Sequence, residues 1–124
     1  MPNTYQNKKI AVFGASENTT KYGYKIFHTL LQKGFSVYGI NPKGGNVDGQ
    51  SFYVSLDKVP GSVEVAIMVV PPAALVQAVE QCKAQGVKEI WFQPGAQQDE
   101  AFVLATAAGI KAVNACFMAE NGLW

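Results

Sequence analysis

Short unbroken apolar runs alternate along the chain with longer stretches whose apolar residues recur at helical spacing, and glycine, proline or a small polar residue marks each change. The first run is Ile10-Ala11-Val12-Phe13. So short and continuous a run reads as a strand buried on both faces. After a polar turn, a helix is predicted from about Tyr22 to Lys33, with Ile26, Phe27, Leu30 and Leu31 on its buried side. Phe35 to Ile40 is a second strand and Val63 to Val70 a third, the most apolar of all. Pro71-Pro72 opens a second helix carrying Leu75, Val76, Val79 and Cys82. Glu89 to Gln93 is the fourth strand, a third helix starts at Asp99 with Phe102, Leu104, Ala105 and Ala108, and Ile110 to Val113 is the fifth strand.

Gly34-Phe35, Gly86-Val87 and Gly109-Ile110 each set a glycine at a helix end directly before a strand. Glycine takes the left-handed conformation that such ends require. Serial strand–helix–strand units predict an α/β fold: a Rossmann-like, doubly wound parallel sheet of five strands in the order 3-2-1-4-5, as one domain over residues 1–124. The connection from Asn41 to Gly61 departs from the scheme, because its prolines and paired glycines oppose both helix and strand. Phe52, Tyr53, Val54 and Leu56 within it predict order rather than disorder.

Composition narrows the function. The 124 residues are 48% hydrophobic and 15% charged, as expected of a compact domain. A net charge of +1 provides no basic field for nucleic acid. No segment approaches the roughly 20 apolar residues needed to cross a bilayer, and the polar start, MPNTYQNKK, has no apolar signal core, so a cytoplasmic location is expected without membrane attachment. Two cysteines and one histidine, His28, offer no disulfide framework and no metal site. His28 reads as a surface or packing residue.

In an open parallel sheet, ligands bind beyond the carboxyl ends of the strands, where the strand order reverses. That edge gathers Gly14-Ala15-Ser16, Asn41-Pro42-Lys43, Val70-Pro71-Pro72, Gln93-Pro94-Gly95 and Asn114-Ala115-Cys116. The Gly-Ala-Ser corner lets backbone approach a ligand, and the amides opening the next helix, with the Ser16 hydroxyl, are available to an anion. Lys21 and Lys43 are the basic groups nearest the edge and can each meet a phosphate as a point charge. These segments hold no Asp, Glu or His, so the edge reads as a binding surface without catalytic residues. Cys116, with no histidine near it in sequence, reads as a small filler; the sharper alternative is a thiol that forms a mixed disulfide with a ligand thiol. A nicotinamide dinucleotide site normally has Asp or Glu after the second strand, whereas this chain has Asn41 followed by Pro42 and Lys43, which suits a ribose bearing a phosphate, as in coenzyme A.

GAS at 14–16, KYG at 21–23, NPK at 41–43, VVPP at 69–72, WFQPGA at 91–96 and NAC at 114–116 form an ordered set over almost the whole chain. With these motifs the chain resembles the CoA-binding protein family, small stand-alone Rossmann-like domains similar to the N-terminal domain of the succinyl-CoA synthetase α-subunit. PKGG at 42–45 partly matches a Pro-Gly-Lys-Gly-Gly segment of that subunit. The resemblance implies that Gly14 to Ser16 and Asn41 to Lys43 hold the adenosine and phosphate end of coenzyme A, and that Val70, Pro71 and Pro72 line the path of the pantetheine arm. The synthetase's second domain, with its phosphorylated histidine, has no counterpart in these residues, so its catalysis does not carry over. The expected function is non-catalytic binding of CoA or an acyl-CoA, alone, as a homo-oligomer or with a partner protein. The alternatives are an NAD(P)-binding regulator or oxidoreductase, and an interaction module whose nucleotide site has decayed.

Overall fold

The computed structural model describes residues 4–124; the first three residues of the polar N-terminal stretch lie outside them. Strand β1 (Lys9–Phe13) leads to helix α1 (Tyr22–Gln32) and strand β2 (Ser36–Ile40). A two-stranded hairpin follows, β3 (Asn46–Val47) and β4 (Gln50–Ser51), then a single 3-10 turn at Leu56–Lys58. The chain continues through β5 (Val65–Met68), a 3-10 turn at Pro72–Ala74, α2 (Leu75–Gln85), β6 (Glu89–Phe92), α3 (Asp99–Ala107), β7 (Lys111–Asn114) and α4 (Phe117–Glu120). Gly34, Gly86 and Gly109 end their helices with φ of +83°, +74° and +79°, as the glycine pattern predicts. No helix of the described residues is long and apolar enough to cross a membrane.

The expected α/β, Rossmann-like class holds, with five parallel strands, but the order differs from 3-2-1-4-5. The sheet runs β2-β1-β5-β6-β7, which in the numbering of the five long strands is 2-1-3-4-5. The third long strand pairs directly with the first, Ile10 beside Val65 and Phe13 beside Met68, instead of flanking the second. Burial explains the difference. All four residues of β5 are at most 1% exposed, so this strand needs neighbours on both sides and helices on both faces. The edge falls to β2, which has an exposed Ser36 and a half-buried Tyr38, and to β7, which has no fully buried residue.

Side chains alternate across the sheet and build two cores. Ala11, Phe13, Ala66, Met68, Ile90 and Phe92 meet α2 and α3 through Leu75, Val79, Cys82 and Ala105. On the other face Ile10, Val12, Val65, Ile67 and Trp91 meet α1 and α4 through Ile26, Phe27, Leu30, Phe117 and Met118. The 41–61 connection is ordered, as its apolar residues predict. Phe52 and Leu56 are buried, while Val54 stays half exposed. Tyr53 forms a bridge with Ile40 along the free edge of β2, donating its N–H to Gly39 and accepting from Asn41, so that edge is covered.

At the amino ends of the strands, Glu89 is buried and accepts hydrogen bonds from the Tyr5 hydroxyl (2.5 Å) and the Trp91 indole (2.7 Å), with Lys111 3.6 Å away. Burial alone pushes the Glu89 carboxyl up, but the bonds from Trp91 and Tyr5 and the charges of Lys111 and Lys8 outweigh it and hold it below the ordinary value. Burial, then the bond to Glu89, raises the Tyr5 phenol from 10.0 to about 12. The two shifts act on opposite limbs of the pH–stability curve. Glu89 contributes stability that is present above its unfolded value of 4.5 and is lost as pH falls through its lower folded value. Tyr5 contributes stability that is full below pH 10.0 and is lost as pH rises towards about 12. Urea unfolding across pH should therefore show that Glu89→Gln flattens the acid limb and Tyr5→Phe the alkaline limb; acid limbs that superimpose would remove the role given to Glu89.

Candidate functional site

An open cleft of about 900 Å³ lies beyond the carboxyl ends of the strands, and Gly14, Asn41, Val70 and Pro94 place the loops after β1, β2, β5 and β6 in its wall. It is centred where β1 and β5 lead their chains in opposite directions, the reversal point of a 2-1-3-4-5 sheet. Its volume is at the upper end of the roughly 300–1,000 Å³ usual for small-molecule sites.

A contact between two glycines sets its floor. Gly14 leaves β1 with φ of +96°, and a Cβ there would lie 2.9 Å from the Val69 carbonyl carbon. Gly23, in the first turn of α1, sits so close that a Cβ would lie 1.9 Å from the Gly14 carbonyl oxygen. Helix α1 is thereby seated directly on the first loop. Its first turn carries no acidic residue, and the cap residue Lys21 makes no side-chain hydrogen bond to it. The unpaired amides of that turn and the positive end of the helix dipole stand at the cleft. The loop ahead of the helix is organised internally: Ser16 Oγ accepts from the Asn18 N–H, and Asn18 Oδ1 accepts from the Thr20 N–H and hydroxyl.

Ten of the expected site residues line the cleft. Gly14, Ser16 and Lys21 lie on the helix side, Asn41, Pro42 and Lys43 on the β2 side, and Val70, Pro71, Pro94 and Gly95 beyond β5 and β6. Asn41 is a brace rather than a free amide: its Nδ2 donates to the Ala15 carbonyl at 2.9 Å and its Oδ1 accepts from the Lys43 N–H at 2.9 Å. It ties the first loop to the second and holds the backbone of Lys43 at the rim.

The other four do not line it. The Ala15 side chain is fully buried, so only its backbone serves the site. Pro72 points away at the start of its 3-10 turn and is exposed. Gln93 is buried and its Oε1 accepts from the Phe117 N–H, anchoring α4. Asn114 ends the edge strand β7, two strands away from β5. Cys116 is also outside the lining; its sulfur accepts from the Ala119 N–H as the cap of α4. Thr20, Tyr22, Gly23, Val69, Ala74 and Ala96 line the cleft without having been singled out as site residues. For Gly23 a signal existed, a third glycine near the start of the first helix, the position that serves close helix–strand packing.

His28 lies away from this cleft, on α1. Its Nδ1 meets Asp48 at 2.5 Å on the β3–β4 turn, and its ring stacks on Tyr24. Glu17 also leaves the cleft free of charge, since its carboxylate accepts from the Asn46 N–H. The lining contains two lysines and no carboxylate.

This arrangement defines an α/β nucleotide-binding domain with its crevice at the sheet's reversal point. A model of the CoA binding domain family matches residues 8–122, and the chain belongs to that family. Coenzyme A, the expected cofactor, is the ligand for which the family is named. The chain is 37% identical over 87 residues to the α subunit of an ADP-forming acetate–CoA ligase II of Pyrococcus furiosus, covering 69% of this chain and 19% of that one. It is 32% identical over 123 residues to the ADP-forming acetate–CoA ligase I of Archaeoglobus fulgidus, covering 91% of this chain and 18% of that one. It thus spans about a fifth of the length of these curated relatives. A solved structure of a conserved hypothetical protein from Pyrococcus furiosus superposes with a TM-score of 0.84 at 38% identity, covering 91% of this chain and 98% of the other.

The glycine contact predicts a specific sensitivity. Gly23→Ala should destabilise the fold by about 1–3 kcal/mol, because the methyl meets backbone and not a flexible side-chain end. Gly44→Ala, where an added Cβ meets nothing within 4 Å but φ is +74°, should cost less. Urea denaturation of both variants checks the ranking, and equal losses would mean that the α1 seat yields easily.

Proposed function

We propose that this chain binds coenzyme A or an acyl-CoA in the cleft and has no catalytic group of its own. The phosphates lie towards the α1 N-terminus, Ser16, Lys21 and Lys43, and the pantetheine arm runs along Val69, Val70, Pro71 and Ala74. The observation that carries this reading is the lining itself: two lysines and an uncapped helix start face a cleft without a carboxylate. The ribose-binding acid of a nicotinamide site is missing from the end of β2, where Asn41 spends its amide on Ala15 and Lys43. ADP-forming acetate–CoA ligases among the relatives agree with a CoA ligand. The domain acts as a carrier, a sensor or one unit of a larger acyl-CoA enzyme.

Calorimetric titration should give one saturable site per chain for CoA and weaker binding of dephospho-CoA. Equal affinities would remove the role given to the 3′-phosphate. Lys43 has its backbone pinned by Asn41, and a charge-assisted phosphate contact is worth roughly 1.5–3 kcal/mol. Lys43→Ala should therefore weaken CoA about ten- to a hundredfold, with an unchanged melting temperature, and Lys21→Ala should do less. Normal binding by Lys43→Ala with failure of Lys21→Ala would put the phosphates over the first loop alone. Incubated with acetyl-CoA, the purified chain should leave the thioester intact; hydrolysis abolished by a single substitution in the cleft would overturn the non-catalytic reading.

A further inference from the structure

Beside the main cleft is a smaller recess of about 60 Å³, between the loop after β2, the 52–56 segment and α2. It shares Gly14, Pro42, Val70 and Ala74 with the cleft, so the two are continuous. Its own walls are Phe13, Ile40, Val54 and Ala78, all apolar, with the amides of Gln77 and Gln81 as the polar exceptions. Val54 is 50% exposed although it lies in an otherwise well-packed loop, which leaves an apolar wall without a protein partner. Gln81 is fixed, because its Oε1 accepts from the Leu56 N–H at 2.9 Å, leaving its Nε2 as a donor. Gln77 makes no hydrogen bond among the described residues and can donate or accept.

The geometry points to this recess as the seat of the ligand's purine base, with Gln77 and Gln81 reading its Watson–Crick edge. The inference rests on the CoA reading above. In CoA one ribose carries the 3′-phosphate, the 5′-diphosphate and the base, so a phosphate at Lys43 leaves the base within one sugar's width of Pro42. Of the two apolar ends of the cleft, only the recess borders Pro42; the other, at Pro94 to Ala96, lies beyond β6. A volume of about 60 Å³ is some two waters' share and cannot enclose a purine, but it admits one edge while the ring face rests on Pro42 and Ala74. A glutamine amide complements adenine, accepting from the 6-amino group and donating to a ring nitrogen.

The test compares CoA with 1,N6-etheno-CoA, whose added ring covers that edge and leaves the phosphates and pantetheine unchanged. Wild type should bind CoA about tenfold or more tightly than the etheno analogue. Gln77→Ala and Gln81→Ala should weaken CoA and leave the analogue unaffected, so the ratio falls towards one, while both variants bind 4′-phosphopantetheine as wild type does. Thermal melts without ligand separate these effects from loss of the Gln81–Leu56 bond. Equal binding of CoA and the analogue by wild type, or a ratio unchanged in both variants, would overturn the recess as the base site and leave CoA binding intact. Weaker 4′-phosphopantetheine binding in the variants would assign the recess to the thiol end instead. Absence of CoA binding in wild type would overturn both readings.

Discussion

The close approach of Gly23 to the Gly14 carbonyl oxygen governs the geometry of the whole binding edge. A helix normally packs on a sheet through side chains, which would hold α1 some ångströms higher and move its first turn off the loop. With hydrogen in place of a side chain at Gly23, the amides at the helix start reach the level of the strand ends. Everything polar in the cleft is arranged around that seat. Ser16 and Thr20 lie in the short loop compressed beneath it, and Asn41 ties the neighbouring loop to the same place through Ala15.

The two ends of the sheet carry different chemistry. At the amino end, the only buried carboxylate of the described core, Glu89, is fully engaged by Tyr5, Trp91 and Lys111. At the carboxyl end the carboxylate nearest the cleft, Glu17, is turned onto a backbone amide. Negative charge is thus spent on the architecture where it supports folding and kept away from the surface where an anionic ligand would meet it. Apolar lining beyond β5 and the cationic rim beside α1 then divide the cleft into two halves of different character, matching a ligand with one phosphorylated end and one long, nearly neutral arm.

Local chemistry was legible in the chain; pairing was not. Apolar runs and helix-ending glycines located the long elements to within a few residues, because burial on two faces and left-handed helix ends each demand particular residue types. Strand order carries no such local mark. VAIM within Val63 to Val70 is apolar enough for a central strand, yet placing it beside β1 instead of outside β2 is decided by the whole sheet's burial. That error had a consequence at the site: with the reversal point between β1 and β5, Asn114 falls on a distant edge. Gln93 misled for another reason, since a glutamine at a strand end reads as a ligand group although it serves the amide of Phe117. The β3–β4 hairpin and α4 escaped notice because two-residue strands and a single helical turn are too short to show a period.

The position of β5 has a bearing on how the chain reaches this state. The neighbours Ile10 and Val65 are separated by most of the first half of the sequence, and their pairing encloses α1, β2 and the entire 41–61 connection. The central strand pair can close only after that intervening length has been drawn in, which lowers the rate for topologies rich in distant contacts. Phe52 and Leu56, buried at intervals along the connection, shorten the effective loop by docking parts of it early. Until they dock, β1 and β2 form a two-stranded unit with one apolar flank open. This species is the one most exposed to wrong partners while the chain is being synthesised.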